Sequence, residues 1–262
     1  RGSQIDGVWQ LQIVNSDADD AMLLDYSVEW WGSADGVNGY SFADDTYHFT
    51  DEIFTANIFD AATGTSTAIA DDINRTTISD GDGGTDWLDM SAMTGNLNVS
   101  LADGAVGTSA GRYFVTIAAG ANIENAVGGD GYDTLSGNAA DNVLIGMRGN
   151  DTLFGLAGSD VLEGGSGDDD LWGGADADTF VFEGVFGTDT IFDFEGDLAT
   201  AGQGDTIDFG DLAEVTDFGS LLGSLSQTVD GAVYDFNQDG INVLTFDGVD
   251  VTALSESDFI FV

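Results

Sequence analysis

Five aspartates and one asparagine recur at nine-residue intervals in the middle of this chain: Asp133, Asn142, Asp151, Asp160, Asp169 and Asp178. Each is position six of a nonapeptide, and six copies run unbroken from Gly128 to Val181: GGDGYDTLS, GNAADNVLI, GMRGNDTLF, GLAGSDVLE, GGSGDDDLW and GGADADTFV. Position one is always Gly, and position eight is Leu135, Leu144, Leu153, Leu162, Leu171 and Phe180. Carboxylates repeated beside glycine turns are hard oxygen donors, and the chemistry they offer is cation binding. A flexible Gly-Asp linker would have no reason to place an apolar residue at position eight of every copy.

The spacing dictates the elements that must position these oxygens. The first six residues of each copy form a turn in which Gly accepts a left-handed backbone, so that carbonyls converge. The last three form a short strand with the position-eight side chain inward. Two copies complete a coil, so strands eighteen residues apart stack at roughly 4.8 Å. This sets Asp133, Asp151 and Asp169 along one edge, and Asn142, Asp160 and Asp178 along the other. A cation between coils would meet these side chains and the carbonyls of positions two and four. Those positions are Gly129 and Gly131, Asn138 and Ala140, Met147 and Gly149, Leu156 and Gly158, Gly165 and Gly167, and Gly174 and Asp176. Some six oxygens in a flexible cage suit Ca2+ and suit Mg2+ poorly, giving about four or more ions. Copy two departs from the pattern with Ala140 and Asn142, and copy six with Asp176.

Composition agrees. Of 262 residues 48 are acidic, 40 of them Asp, against four Arg and no Lys, for a formal charge of −44. Phosphate contacts require basic residues, so nucleic acid is excluded as a direct partner. A hydrophobic content of 42% is too high for a disordered acidic tail. The absence of Cys removes disulfides and thiolate metal sites; a secreted protein without disulfides needs another stabiliser, for which bound metal is the obvious candidate. No apolar run is long enough for a membrane helix. Short alternating runs rich in Thr, Val, Ile and Phe predict an all-β fold.

Outside the repeat, further Asp-bearing turns lead into strands. Asp82 and Asp86 lie upstream, and Asp189, Asp193, Asp205 and Asp208 downstream; each is a cation ligand or a turn former. Strands are predicted over Asn96–Leu101, Arg112–Ile117 and Ile123–Val127. Beyond Leu212, Ala232–Phe236, Ile241–Phe246 and Val249–Val251 are predicted as an antiparallel, sandwich-like cap over the open end of the roll. Catalytic signals are weak. A zinc protease motif needs two His, and this chain has His48 alone, between Tyr47 and Phe49, where a structural role is expected.

The nonapeptides follow the RTX pattern G-G-x-G-x-D-x-U-x. From Thr76 to Val262 the chain resembles the C-terminal domain of serralysin-type secreted proteases. The resemblance rests on the segments SDGDGGTDWLDMS, VTIAAGANIENAVGGDGYDTLSGNAADNVLIG, WGGADADTFVF, DTIFDFEGD and GDTIDF. It implies a parallel β-roll with Ca2+ in its turns, secretion to the extracellular medium through type I machinery, and an uncleaved C-terminal signal. Asp258 to Val262 are similar to such a terminus, and Phe259 to Val262 equally suit a final core strand. Residues 1–32 resemble the closing hairpin of the P domain of kexin- and subtilisin-like proteases, through Gly7, Trp9, Leu11, Val14, Asp17, Leu24 and Trp30. A generic hairpin with a Trp at each end is the alternative. The opening Arg-Gly-Ser is read either as the trimmed end of a longer precursor or as residues added to the natural chain, and the internal cut is preferred.

The expected organisation is a hairpin at 1–32, a connecting β segment at 33–75 and entry strands at 76–127. The six-copy calcium β-roll follows at 128–181, and a C-terminal β cap at 182–262. The expected function is a calcium-binding RTX module at the end of a secreted protease, not itself an enzyme. An upstream protease fragment or copies of itself are the expected partners. The alternative is a structural or adhesive RTX protein such as a surface-layer subunit.

Overall fold

The computed structural model describes residues 46–51, 57–60, 65–68, 77–78, 84–196, 204–210, 212, 217–236 and 240–261. The hairpin expected at residues 1–32 and the acid Asp82 lie outside them.

Two large sheets face one another. The first has eight strands, in the order Thr46–Thr50, Trp87–Ala92, Asn125–Val127, Val143–Arg148, Val161–Ser166, Thr179–Val181, Thr206–Asp208, Phe259–Ile260. Every neighbouring pair is parallel. The second sheet is parallel through Leu97–Ser100, Thr134–Ser136, Thr152–Ala157, Asp170–Ala175, Thr188–Ile191 and Val243–Asp247. It turns antiparallel at both ends, towards Val106–Ser109 and Arg112–Ile117 on one side and Gly231–Asp235 and Leu225–Gln227 on the other.

The register is the one the nonapeptide demands. Leu135 lies opposite Leu153, and Leu153 opposite Leu171, each eighteen residues apart. In the other sheet Leu144 is opposite Leu162 and Leu162 opposite Phe180. The inward column of one sheet is therefore Val99, Leu135, Leu153, Leu171, Ile191 and Phe246. In the other it is Leu88, Ala126, Leu144, Leu162, Phe180, Ile207 and Phe259. All are buried, and the hydrophobic core is the space between these two columns. On the outer face, Phe154, Trp172 and Phe192 stack ring on ring, with centroids 4.8 and 4.2 Å apart.

Both sheets run past the six copies. Gly184–Phe192, GVFGTDTIF, has Gly, Asp and Ile at positions one, six and eight. It is a seventh coil segment, displaced from the period by Phe182 and Glu183. The expected cap is likewise not a separate layer. Val243–Asp247 adds to the roll in parallel, and only the next strand reverses. Val249–Val251 is not a strand. Asp250 instead caps a 3-10 turn over Val251–Ala253 by accepting the Thr252 N–H. A seven-residue helix, Phe218–Ser224, interrupts the all-β pattern; Asp217 caps it and Leu221 is buried beneath it.

Candidate metal centre

The position-six side chains form two ladders. Along the second sheet, one carboxylate oxygen of each accepts the backbone N–H of its counterpart one coil earlier. Asp133 N–H donates to Asp151 Oδ1 at 2.8 Å, Asp151 N–H to Asp169 at 2.7 Å, and Asp169 N–H to Asp189 at 2.9 Å. Along the first sheet, Asn142 N–H donates to Asp160 at 2.7 Å, Asp160 N–H to Asp178 at 2.9 Å, and Asp178 N–H to Asp205 at 3.0 Å. Parallel strand geometry places each turn directly over the last, so these bonds follow from the register.

The second oxygen separates the turns into two kinds. Oδ2 of Asp151, Asp160, Asp169, Asp178 and Asp189 is buried with no hydrogen-bond partner. Asp133 and Asn142, in the first copy on each edge, are closed instead. Asp133 Oδ2 accepts the N–H of Gly129 at 2.8 Å, and Asn142 Oδ1 that of Asn138 at 2.7 Å. The Asn142 amide then donates to the Glu124 carbonyl at 2.7 Å, and the Asn138 amide to Ile123 at 2.9 Å.

Within the six copies, backbone rotation at position two accounts for the difference; in the Asp189 turn the left-handed residue is instead position one, Gly184 at φ 60°. In copies three to six the position-two residue is left-handed: Met147 at φ 84°, Leu156 at 86°, Gly165 at 98° and Gly174 at 108°. There the N–H does not close on the acid, and the carbonyls of Met147 and Leu156 lie against Gly165 and Gly174 of the next coil. Position-four carbonyls form a second row, in which a Cβ on Gly149 would overlap the Gly131 oxygen and one on Gly187 the Gly167 oxygen. Position one is closed to larger residues because a Cβ at Gly155 would overlap Asp160 Oδ2.

Residues 119–153 and 145–180 each match the family profile of the RTX calcium-binding nonapeptide repeat, a profile four copies long. Residues 119–180 are calcium-binding RTX repeats. Solved structures similar to this chain include two subunits of the mannuronan C5-epimerase of Azotobacter vinelandii. AlgE6R3 is 28% identical, with 49% of this chain and 77% of that one covered and a TM-score of 0.36. AlgE6R2 is 27% identical, with 48% and 91% covered and a TM-score of 0.34. The extracellular lipase LipA of Serratia marcescens is 21% identical, with 71% and 38% covered and a TM-score of 0.44. Comparison with curated proteins gives no match.

The RTX turns suit calcium on their own chemistry. An anionic oxygen buried without a donor is costly unless a cation meets it. The donors on offer are carboxylate and carbonyl oxygens, as a hard cation prefers. Among the described residues no three acidic, His or Cys side chains converge on one point. Backbone carbonyls must therefore complete any cage. Calcium held there would supply the positive charge that the stacked acids lack.

Burial, with neighbouring acids adding to it, pushes these carboxyls well above the usual range. Asp151 rises to about 8, Asp178 to about 7, and Asp160 and Asp169 to about 6. Asp189 rises furthest, to about 9. The backbone N–H bonds oppose the shift without cancelling it.

The remaining acids divide. Asp205 spends its second oxygen on the Glu195 N–H at 2.8 Å, and Asp193 accepts from Gly173 and Gly174, both at 3.0 Å. Asp208 accepts from Gly210 at 2.9 Å, as a turn former does. Asp86 is buried beside Glu124, which accepts its backbone N–H at 2.8 Å. Asp176 holds the left-handed position four of copy six at φ 77°. Residues that spacing alone does not reveal include Asn125, which accepts the Val143 N–H at 2.8 Å, and Asn96, which accepts that of Tyr132 at 3.2 Å. Both precede a copy, where no nine-residue count reaches.

His48 Nδ1 lies 2.8 Å from Asp89 Oδ2, a partly exposed pair between adjacent strands. Gly107-Thr108-Ser109-Ala110-Gly111 has the Gly-x-Ser-x-Gly spacing of a nucleophile elbow. Here it closes a two-residue hairpin with Ala110 and Gly111 both left-handed and Ser109 buried, not a strand-to-helix turn. Arg148 pairs with Asp130 on the surface at 2.9 Å.

Proposed function

We propose that this chain is a calcium-dependent folding module of a secreted protein. It stays expanded while calcium is scarce and closes into the roll in the millimolar calcium outside the cell. The observation that carries the reading is the set of buried, unpartnered Oδ2 atoms stacked along both edges. Charge repulsion opens the metal-free chain, and calcium reverses it. Export through type I machinery follows the resemblance of Thr76 to Val262 to serralysin-type domains. Attachment to a protease rests on the likeness of residues 1–32 to a P domain. Among the described residues no helix is long and apolar enough to cross a membrane.

The test is calcium titration of the full chain by calorimetry, with circular dichroism in parallel. Binding and gain of β structure should share one midpoint. Binding without a structural change would contradict a folding role.

A further inference from the structure

Beyond the last matched repeat, Asp189 stands in the same relation to Asp169 as Asp169 does to Asp151. Its Oδ1 accepts the Asp169 N–H, and its Oδ2 is buried and unpartnered in a residue only 1% exposed. The row of position-four carbonyls continues to it, since Gly187 is left-handed and the Gly167 oxygen lies against its Cα. Two features differ: the left-handed residue is Gly184 at position one rather than Val185 at position two, and the outer wall is new. Asn242, entering the next strand, holds the turn from outside. It accepts the Phe186 and Gly187 N–H groups at 3.2 and 3.4 Å and donates to the Gly184 carbonyl at 3.1 Å. Val243 N–H then bonds the Gly187 carbonyl at 2.7 Å.

We infer that Asp169 and Asp189, with the Gly167 carbonyl, form an additional divalent-cation cell that fastens the roll to its C-terminal strands. This rests on the calcium reading of the repeats and extends it past residue 180. The cell takes a hard cation, for which calcium is the probe. An ion there would fix the Gly184–Gly187 turn, and through Asn242 and Val243 it would register the strand Val243–Asp247 on the roll. Calcium thereby orders the end of the chain as well as the repeats.

Native mass spectrometry of the full chain in calcium counts the ions, and amide hydrogen exchange reports on Val243–Asp247. Asp189→Asn keeps the acceptor for the Asp169 N–H and removes the anionic oxygen. It should hold one calcium fewer than wild type. Val243–Asp247 should then exchange about tenfold faster at calcium levels that still protect Thr152–Ala157. An unchanged ion count, or unchanged exchange in that strand, overturns the inference. In the wild type, protection of Val243–Asp247 should need calcium; protection that persists in EDTA overturns it even where the variant fails to fold. A wild-type chain that binds no calcium sinks the underlying reading together with this cell.

Discussion

Met147 and Leu156 occupy a backbone region that side chains avoid at a cost of roughly 1–2 kcal/mol each, yet both sit where the turn swings its N–H away from the acid. The other left-handed position-two residues are Gly165 and Gly174. Met147→Gly and Leu156→Gly should therefore lower the calcium concentration at the folding midpoint and stabilise the loaded roll by up to about 1 kcal/mol, measured by denaturation in calcium. A higher midpoint would show that the side chains matter more than the backbone. Carboxylates divide as sharply. Asp151 and Asp160 each leave Oδ2 unpartnered, whereas Asp103 sits in an outlying turn and accepts the Gly120 N–H at 3.0 Å. Asp151→Ala or Asp160→Ala should reduce the number of bound calcium ions and raise the midpoint, while Asp103→Ala does neither. Equal effects from all three would mean that charge acts only in bulk.

At the scale of the strand, stability comes from the two inward columns. Leu153 is fully buried between Leu135 and Leu171, so Leu153→Ala should cost about 2–5 kcal/mol in calcium-loaded unfolding. Leu222, 43% exposed on the short helix, should cost within about 0.5 kcal/mol on the same change. The columns were legible in the sequence because position eight repeats without a break, and the pairing of edges followed from eighteen residues per coil. Less was legible past Val181. Two inserted residues, Phe182 and Glu183, hide the seventh coil segment from a strict count, although its turn keeps the Gly and Asp. Nor does the pattern tell Asp133 from Asp151. Each is position six of a well-formed copy, and only the rotation at Gly129 against Met147 decides whether the second oxygen meets an N–H. The helix Phe218–Ser224 holds two glycines and a single buried residue, too faint a 3.6-residue signal to read.

For the whole molecule the deciding quantity is the charge of −44 and where it sits. Burial raises the folded-state values of Asp151, Asp160, Asp169, Asp178 and Asp189 to between about 6 and about 9, against about 3.9 in an unfolded chain. Without metal the fold therefore binds more protons than the unfolded chain across this window. The contribution of these five groups to its stability is greatest below about pH 4 and falls as pH rises through their folded values. In EDTA, β structure should grow as pH is lowered from 8 towards 5. In calcium the dependence inverts, because protons compete with the ion for the same oxygens, and apparent affinity should rise with pH. A metal-free chain whose β content ignores pH in this range would show that these carboxyls do not control folding. A ligand at about 100 times its dissociation constant adds about 2.7 kcal/mol per site, so a few cells can decide whether a domain of this size folds. The most direct test is far-UV circular dichroism of the full chain at neutral pH, first in EDTA and then in millimolar calcium. A largely unstructured spectrum that becomes a β spectrum on adding calcium is the predicted result, and a β spectrum already complete in EDTA would contradict the account.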